Sequence, residues 1–364
     1  MSLRIIHGAD LHLDTPFNAL GAENAARRRA EQRQLLTALV REVRGRGADL
    51  LLLSGDILDT ASACAETGEQ LAAALREVKI PVFIAPGNHD WVSRRSPYMR
   101  HSFSDNVHIF TVPEIRRVAL PELCVNVYGA GYTSNACPPL LERFHAERRP
   151  GWRNLLTLHA EVGRPASPYC PVTVEQLAQS GLDYAAFGHV HTCSGLRRAG
   201  ETFYGWPGCT EGRGFDECGE KGVLQIDLDE SGCRAAFLPL GRRQYRVLTA
   251  TVEAAEKDGF LSDLPGDARN HIYKIVLTGE RDALPDLSAL RDRLEPLFFS
   301  LTLEDATVPR RELWARAEED TLTGAFLRRM RRRMEAASTE EERRILTDAV
   351  RLGLAALEDR ESPL

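Results

Sequence analysis

Residues 5–12, Ile5-Ile6-His7-Gly8-Ala9-Asp10-Leu11-His12, read as a short apolar strand that ends in an Asp-x-His pair. Apolar residues followed by a glycine and two polar groups are how a buried strand delivers side chains to the rim of a sheet. Three further stretches repeat the plan. Leu50–Leu53 runs into Gly55-Asp56, Val82–Ile84 into Gly87-Asn88-His89-Asp90, and Leu155-Leu156 into His159. A fifth motif, Gly188-His189-Val190-His191, follows Phe187 with a weaker strand signal. Polar groups at the carboxyl ends of successive strands converge on one crevice, the place where layered α/β folds bind ligands.

Between the first strands, residues 23–46 and 64–78 carry helical patterns rich in alanine and arginine, the βαβ rhythm of a sheet with helices packed on it. From Val107 onward short strands dominate: Cys124–Tyr128, Phe203-Tyr204, Val223–Leu228 and Ala235–Leu240. The expected fold is an α/β sandwich of two packed sheets with flanking helices. A boundary falls near Gly241–Tyr245. Beyond it, strands at Tyr245–Val252, His271–Thr278 and Phe298–Leu303 and a helix at Leu287–Leu294 make a small α+β module with no catalytic set, read as a cap. Ala254–Asn270 and Gly279–Pro285 are its loops. In the tail, Leu322, Phe326, Met330 and Met334 form an apolar stripe against an Arg-rich face. Ser338-Thr339 with Glu341 and Glu342 caps a second helix, whose Ile345, Ala349, Leu352 and Ala356 continue an apolar face. The expected division is residues 1–241 for the catalytic domain, 242–308 for the cap and 309–364 for a helical tail. That tail either folds onto its own domain or docks a partner's helices.

A length of 364 residues suits one large domain with an appended module, or two ordinary domains. The apolar fraction of 43% and charged fraction of 27% are those of a soluble globular protein. No run approaches the ~18–20 apolar residues of a membrane span, and the chain enters its first strand without a signal sequence. A cytoplasmic address without membrane association is expected. The eight cysteines include no C-x-x-C pair and read as reduced, mostly structural thiols. Cys193, two residues past His191, is the one placed for oxidation near a metal. A net charge of −6 argues against nucleic-acid binding by bulk charge, yet the arginines are clustered. Most clusters, Arg27–Arg29 among them, read as solvated surface. Arg94 and Arg95, just past the Asn-His-Asp loop, stand beside the site and are the candidates for contacting substrate phosphate.

Hydrolysing a phosphodiester requires a nucleophile at neutral pH, neutralised nonbridging oxygens and help for the leaving alkoxide. Two divalent ions ~3.5–4 Å apart supply most of this by ionising a water and clamping the phosphoryl group. The matching inventory is Asp10, His12, Asp56, Asn88, His159, His189 and His191. Oxygen and nitrogen donors without thiolates suit manganese, iron or zinc, and four imidazoles count against calcium and magnesium. His89 sits beside Asn88 in a glycine-led turn, so its ring faces the substrate if Asn88 holds a metal. Its expected role is to protonate the leaving oxygen, with Asp90 holding and charging the ring. His7, His101, His108, His145 and His271 read as structural or surface residues.

The ordered motifs D-x-H, G-D, G-N-H-D, lone histidine and G-H-x-H resemble the calcineurin-like metallophosphoesterase superfamily, with every position filled. The resemblance implies a four-layer α/β/β/α sandwich over roughly residues 1–240. One metal would take Asp10, His12 and His191 and the other Asn88, His159 and His189, with Asp56 bridging. Within the superfamily, Ile6–Phe17 looks like the opening of the SbcD-like DNA repair exonucleases, in particular the YhaO-type branch. Trp206-Pro207-Gly208, Gly212-Arg213 and Gly219-Glu220-Lys221-Gly222 are similar to that branch's loop after the last metal histidine. Cys209 departs from it, standing where a polar residue is more usual. The resemblance implies a manganese-dependent DNA nuclease in DNA repair, a 3′ to 5′ exonuclease on duplex ends with some endonuclease activity. Its implied partners are DNA, an SMC-like coiled-coil ATPase bound by the tail and, in a homodimer, a second copy of the chain. Two other readings stay open. One is a phosphodiesterase or phosphatase acting on a cyclic nucleotide, a nucleotide or a phosphoprotein with the same dinuclear site. The other is a binding scaffold with a decayed site, against which the complete ligand set and His89 argue.

Overall fold

Neighbouring leucines of one strand serve two different cores. Leu50 and Leu52 face one apolar cluster and Leu51 and Leu53 another, and all four are 0% exposed. A strand buried on both faces is the mark of a sheet covered on both sides. The computed structural model describes residues 2–60, 64–281 and 284–357, and the chain divides into units spanning residues 1–244 and 245–364.

The first unit contains β1 (Leu3–Gly8), β2 (Leu50–Leu53), β3 (Val82–Ile84), β4 (Val107–Ile109), β5 (Arg116–Leu120), β6 (Val125–Gly129) and β7 (Arg153–His159). The short β8 (Glu161–Val162) and β9 (Pro171–Val172) follow, then β10 (Tyr184–Gly188), β11 (Arg197–Ala199), β12 (Thr202–Gly205), β13 (Gly222–Asp229) and β14 (Gly232–Pro239). Two six-stranded sheets result, ordered β14-β13-β1-β2-β3-β4 and β11-β12-β10-β7-β6-β5. β1 to β4 pair in parallel, as do β12, β10, β7 and β6. Antiparallel strands flank these parallel blocks.

Alternation along the strands builds the layers. Ile5, Leu50, Leu52, Phe83, Leu155 and Tyr184 fill the space between the sheets. Ile6, Leu51, Leu53 and Ile84 point the other way, onto Leu36, Leu39 and Val43 of α1 (Ala22–Gly45) and Leu71, Leu75 and Val78 of α2 (Ala65–Val78). Each leucine fully withdrawn from water is worth about 1.5–3 kcal/mol. On the far side, beyond the one-turn α3 (Pro97–Arg100), Leu156, Leu158 and Phe187 are covered by Leu177 of α4 (Val174–Gln179) and by coil residues Tyr132, Leu141 and Trp206. The fold is thus the four-layer α/β/β/α sandwich, with its second outer layer thin in helix.

The Arg27–Arg29 cluster does not lie wholly in solvent. Arg28 is fully buried: its NH1 donates to Glu211 Oε1 at 2.5 Å, its NH2 to the Gly212 carbonyl at 2.8 Å, and its guanidinium lies over the Phe17 ring. Arg243 donates from Nε to Glu31 Oε2 at 2.8 Å, and its backbone N–H reaches Glu211. Helical periodicity identifies the inward face of α1. It does not reveal that a charge there meets buried partners supplied from residues 31 and 211.

The second unit, taken by itself, is a parallel sheet of β15 (Tyr245–Thr251), β16 (Ile272–Thr278) and β17 (Ser300–Asp305) in that order. α5 (Val252–Glu256), which begins on the last residue of the expected strand and runs into the expected loop, and α6 (Leu287–Leu294) pack on it through Val252, Ala255, Leu290 and Leu294. α7 (Arg311–Ala315), α8 (Leu322–Ala336) and α9 (Glu340–Leu357) close a separate core of Leu313, Leu327, Met330, Leu346, Val350 and Leu354. The capping box at Thr339 forms, its hydroxyl accepting the Glu342 N–H at 3.1 Å. The expected stripe on α8 holds for Phe326, Met330 and Met334, which pack in this core, while Leu322 is 72% exposed; on α9 the stripe is out of phase, with Ile345 58% exposed. Arg351 explains the shift on α9. It is buried with its guanidinium on Asp305 and Thr307, which turns Leu346, Val350 and Leu354 inward, with Ala349 beside them, in place of Ile345 and Leu352. Among the described residues, no helix is long and apolar enough to cross a membrane.

Candidate metal centre

The loops after β1 and β2 zip together just past their strands. Ser54 N–H donates to the Gly8 carbonyl, Asp10 N–H to Gly55 and His12 N–H to Asp56, at 2.9 to 3.0 Å. Asp10, His12, Asp56 and His189 all adopt positive φ, of 51°, 45°, 50° and 90°. For residues other than glycine that conformation is costly and clusters where function requires it. Two glycines make room. A Cβ on Gly188 would lie 2.0 Å from the Ser54 carbonyl oxygen, and one on Gly87 2.3 Å from Asp56 Oδ1, so neither position admits a side chain.

The structure brings all seven expected ligands together. His12 Nε2 and His191 Nε2 stand 3.4 Å apart, with Asp10 Oδ1 at 4.0 Å from the first and 3.6 Å from the second. On the other side, His159 Nε2 lies 3.0 Å from Asn88 Oδ1, and His189 Nδ1 lies 3.3 Å from that same oxygen. Asp56 Oδ2 stands between the two groups, 3.3 Å from His159 Nε2 and 3.9 Å from His12 Nε2. His12, Asp56 and the exposed His89 make a further set of donors within 4.8 Å of one another, so the His89 ring borders the site.

The ring nitrogens facing away from the cluster decide what it fits. His12 Nδ1 meets Asp59 Oδ1 at 3.0 Å, His191 Nδ1 meets Glu217 Oε1 at 2.7 Å, and His159 Nδ1 meets the Ser54 carbonyl at 2.9 Å. All three partners are acceptors, so each Nδ1 carries a proton, and in the neutral ring each Nε2 turns a lone pair inward. With the rings neutral, three imidazole lone pairs, an amide oxygen and two buried carboxylates converge, and the carboxylates receive only the backbone N–H groups of His189 on Asp10 and of His89 on Asp56. That arrangement repels itself and suits divalent cations.

Without a cation, one ion pair forms inside the cluster. Burial pushes Asp10 up to about 6 and His12 and His189 down to about 4. Burial also opposes charge on Asp56 and His159, but their mutual attraction outweighs it. The Asp56 carboxyl is held well below its ordinary range and His159 rises to about 9. A bound cation favours ionised carboxylates and neutral imidazoles throughout.

Asp90 does not hold the His89 ring. It is fully buried, and its carboxylate accepts the backbone N–H groups of Gly87 at 2.7 Å, Asp56 at 3.2 Å and Ile57 at 2.8 Å, as well as the Tyr98 hydroxyl at 2.5 Å. It braces the Asp56 and Asn88 turns against each other. A carboxylate next in sequence to a histidine need not share its side, and these two point apart. Arg94 and Arg95 are exposed, and neither forms an ion pair among the described residues.

Several residues that touch this centre were not foreseen from sequence. Asp59 and Glu217 orient two ligand rings, and Arg213 joins them at 3.3 Å and 2.7 Å. Tyr169 packs its ring 4.6 Å from that of His189, and Trp206 Nε1 donates to the Gly188 and Ala160 carbonyls. Only the Trp206 and Arg213 stretches had drawn notice in sequence, as part of a family-like loop.

Residues 3–193 match the family model of calcineurin-like phosphoesterases. The chain belongs to that family. Its members are metal-dependent phosphoester hydrolases, which agrees with the donor set found here. Among its relatives, this phosphoesterase is 33% identical over 282 residues to the uncharacterized metallophosphoesterase YhaO of Bacillus subtilis, covering 70% of this chain. The match spans 64% of that relative's length, short of two thirds. It is 22% identical over 297 residues to the DNA double-strand break repair protein Mre11 of Saccharolobus solfataricus, covering 77% of this chain and 76% of that protein. Among solved structures it resembles a dimetal phosphatase from Danio rerio, at 13% identity over 65% of this chain and 99% of that one, with a TM-score of 0.42.

Proposed function

We propose that this phosphoesterase is a DNA nuclease of the SbcD-like kind, a 3′ to 5′ exonuclease on duplex ends with some endonuclease activity, working with manganese in DNA repair. One observation carries the choice of substrate. The match to a double-strand break repair protein covers 77% of the chain, more than the 244 residues of the first unit can supply. A phosphatase for small substrates needs the site but has no use for that extension.

When bound, two divalent cations supply a nucleophile at neutral pH and neutralise the phosphoryl oxygens. The chain's own residues do the rest. Asp10, His12 and His191 would hold one cation and Asn88, His159 and His189 the other, with the Asp56 carboxylate shared between them. His89, exposed at the rim, donates to the leaving oxygen. Arg94 and Arg95 take backbone phosphates in the salt-dependent manner of such contacts. DNA is the partner this reading requires. An SMC-like ATPase on the helical tail and a homodimer belong to the same proposal, as does the division into nuclease domain 1–241, cap 242–308 and tail 309–364.

The test is cleavage of linear duplex DNA labelled at either the 3′ or the 5′ strand end, with manganese, comparing wild type with His89→Ala. Stepwise release of mononucleotides by wild type alone supports the exonuclease and reports its polarity. Rapid hydrolysis of a small phosphodiester with no cleavage of any DNA would overturn it in favour of a small-substrate phosphodiesterase.

A further inference from the structure

Arg213, on the coil between β12 and β13, touches neither expected ligand carboxylate, yet its guanidinium joins the two acids that hold ligand rings. Its NH2 donates to Glu217 Oε1 at 2.7 Å, its Nε and backbone N–H to Glu217 Oε2 at 3.3 and 2.8 Å, and its NH1 to Asp59 Oδ1 at 3.3 Å. Glu217 in turn takes the Nδ1 proton of His191, and Asp59 that of His12. Arg213 NH2 also lies 3.0 Å from His191 Nδ1. A carboxylate at 2.7 Å requires a proton on that nitrogen, so the guanidinium serves Glu217 and not the ring.

The chain His12–Asp59–Arg213–Glu217–His191 closes on one half of the centre. The other half is held differently. His159 rests on the Ser54 backbone carbonyl, and His189 lies against Tyr169. The Arg213 loop is itself anchored, because Glu211 is buried under Arg28 and accepts the backbone N–H groups of Arg242 and Arg243.

Resting on the dinuclear reading of the site, we propose that Arg213 is a positioning residue for one metal only, the one held by Asp10, His12 and His191. Asp59 and Glu217 share the Arg213 guanidinium, and without that cation between them their like charges would lose the group that holds them in place and swing toward water. Both imidazoles would then lose the bond that fixes their tautomer and aims Nε2 inward. Partners of this kind are typically worth 10- to 100-fold in metal affinity. Lysine cannot replace the fork, since one ammonium lacks the planar, multidentate geometry that spans two carboxylates.

The experiment is Mn²⁺ binding by calorimetry to the metal-stripped full chain, for wild type, Arg213→Ala, Arg213→Gln and Arg213→Lys, with thermal unfolding of each apo protein as the check on folding. Wild type should bind two ions. Each variant should bind one of them 10- to 100-fold more weakly and the other within about twofold of wild type, with Arg213→Lys recovering little. Both affinities unchanged, or both weakened alike in folded variants, would overturn the assignment. Wild type binding no ion would instead remove the dinuclear reading beneath it. If Arg213→Ala fails to fold, the same comparison in Arg213→Gln decides.

Discussion

His89 Nδ1 lies 3.2 Å from the backbone carbonyl oxygen of Asp59. A carbonyl only accepts, so this contact places a proton on Nδ1 and leaves Nε2 as the nitrogen that gains or gives one. The ring also stands edge-on to His12, with centroids 4.9 Å apart, at the border of the ligand cluster. His89 is thus held by backbone, next to the centre without being needed to build it.

That placement predicts a separation of binding from turnover. His89→Ala should keep both metals and lower turnover by ~10²–10⁴, the range for loss of a general acid. Metal content by elemental analysis and steady-state rates on one phosphodiester check it together. Full turnover would remove His89 from the chemistry, and lost metal would make it a ligand.

Asp56 Oδ2 faces His159 on one side and His12 on the other. Asp56→Asn should therefore weaken both cations at once, because an amide gives up the charge that each would share. Calorimetric titration with Mn²⁺ that shows one site at wild-type affinity would count against bridging.

Asp90 should behave as a structural brace. Asp90→Ala leaves four backbone N–H groups and the Tyr98 hydroxyl without their acceptor in a buried turn, which should cost at least about 3 kcal/mol of stability. Tyr98→Phe, losing one of these bonds, should cost about 1 kcal/mol. Urea unfolding measures both. A wild-type midpoint for Asp90→Ala combined with slow turnover would return Asp90 to the role of a partner for His89.

His7 supplies a pH dependence of folding. It is fully buried between Tyr184 and Ser54, and burial pushes its pKa down to about 3. The unfolded ring, near 6.5, binds a proton that the folded ring refuses, so between those values stability falls as pH falls. The slope approaches about 1.4 kcal/mol per pH unit for this one group. In chelator, urea unfolding from pH 7.5 to 5 should show a shallower decline for His7→Asn than for wild type. Equal slopes would mean the ring titrates in the fold as it does in water.

Much of the site was legible because ligand chemistry and strand-end position are local. Asp10, His12, Asp56, Asn88, His159, His189 and His191 each follow an apolar run or a glycine that marks them, and the parallel register brings those ends together. No strand-end motif marks out Asp59 or Glu217, and Arg213 stands out only as part of a family-like loop, with no partner implied. Arg213 meets Asp59 across 154 positions of sequence, through a loop whose course depends on buried Arg28. The reading of Asp90 failed for a related reason: adjacency in sequence does not say which way a side chain leaves a turn.

From its sequence alone this protein is a layered α/β phosphoesterase with seven side chains of metal-ligand type at its strand ends. Strand periodicity and donor type are properties of single segments, and burying apolar runs on both faces leaves few other arrangements. Only the tertiary structure decided which nitrogen of each ring faces inward, which carboxylates turn it, and that Arg28 and Asp90 are buried braces. Those outcomes depend on hydrogen bonds between segments far apart in the chain, and such bonds take direction only once packing has brought their partners within 3 Å or so of each other.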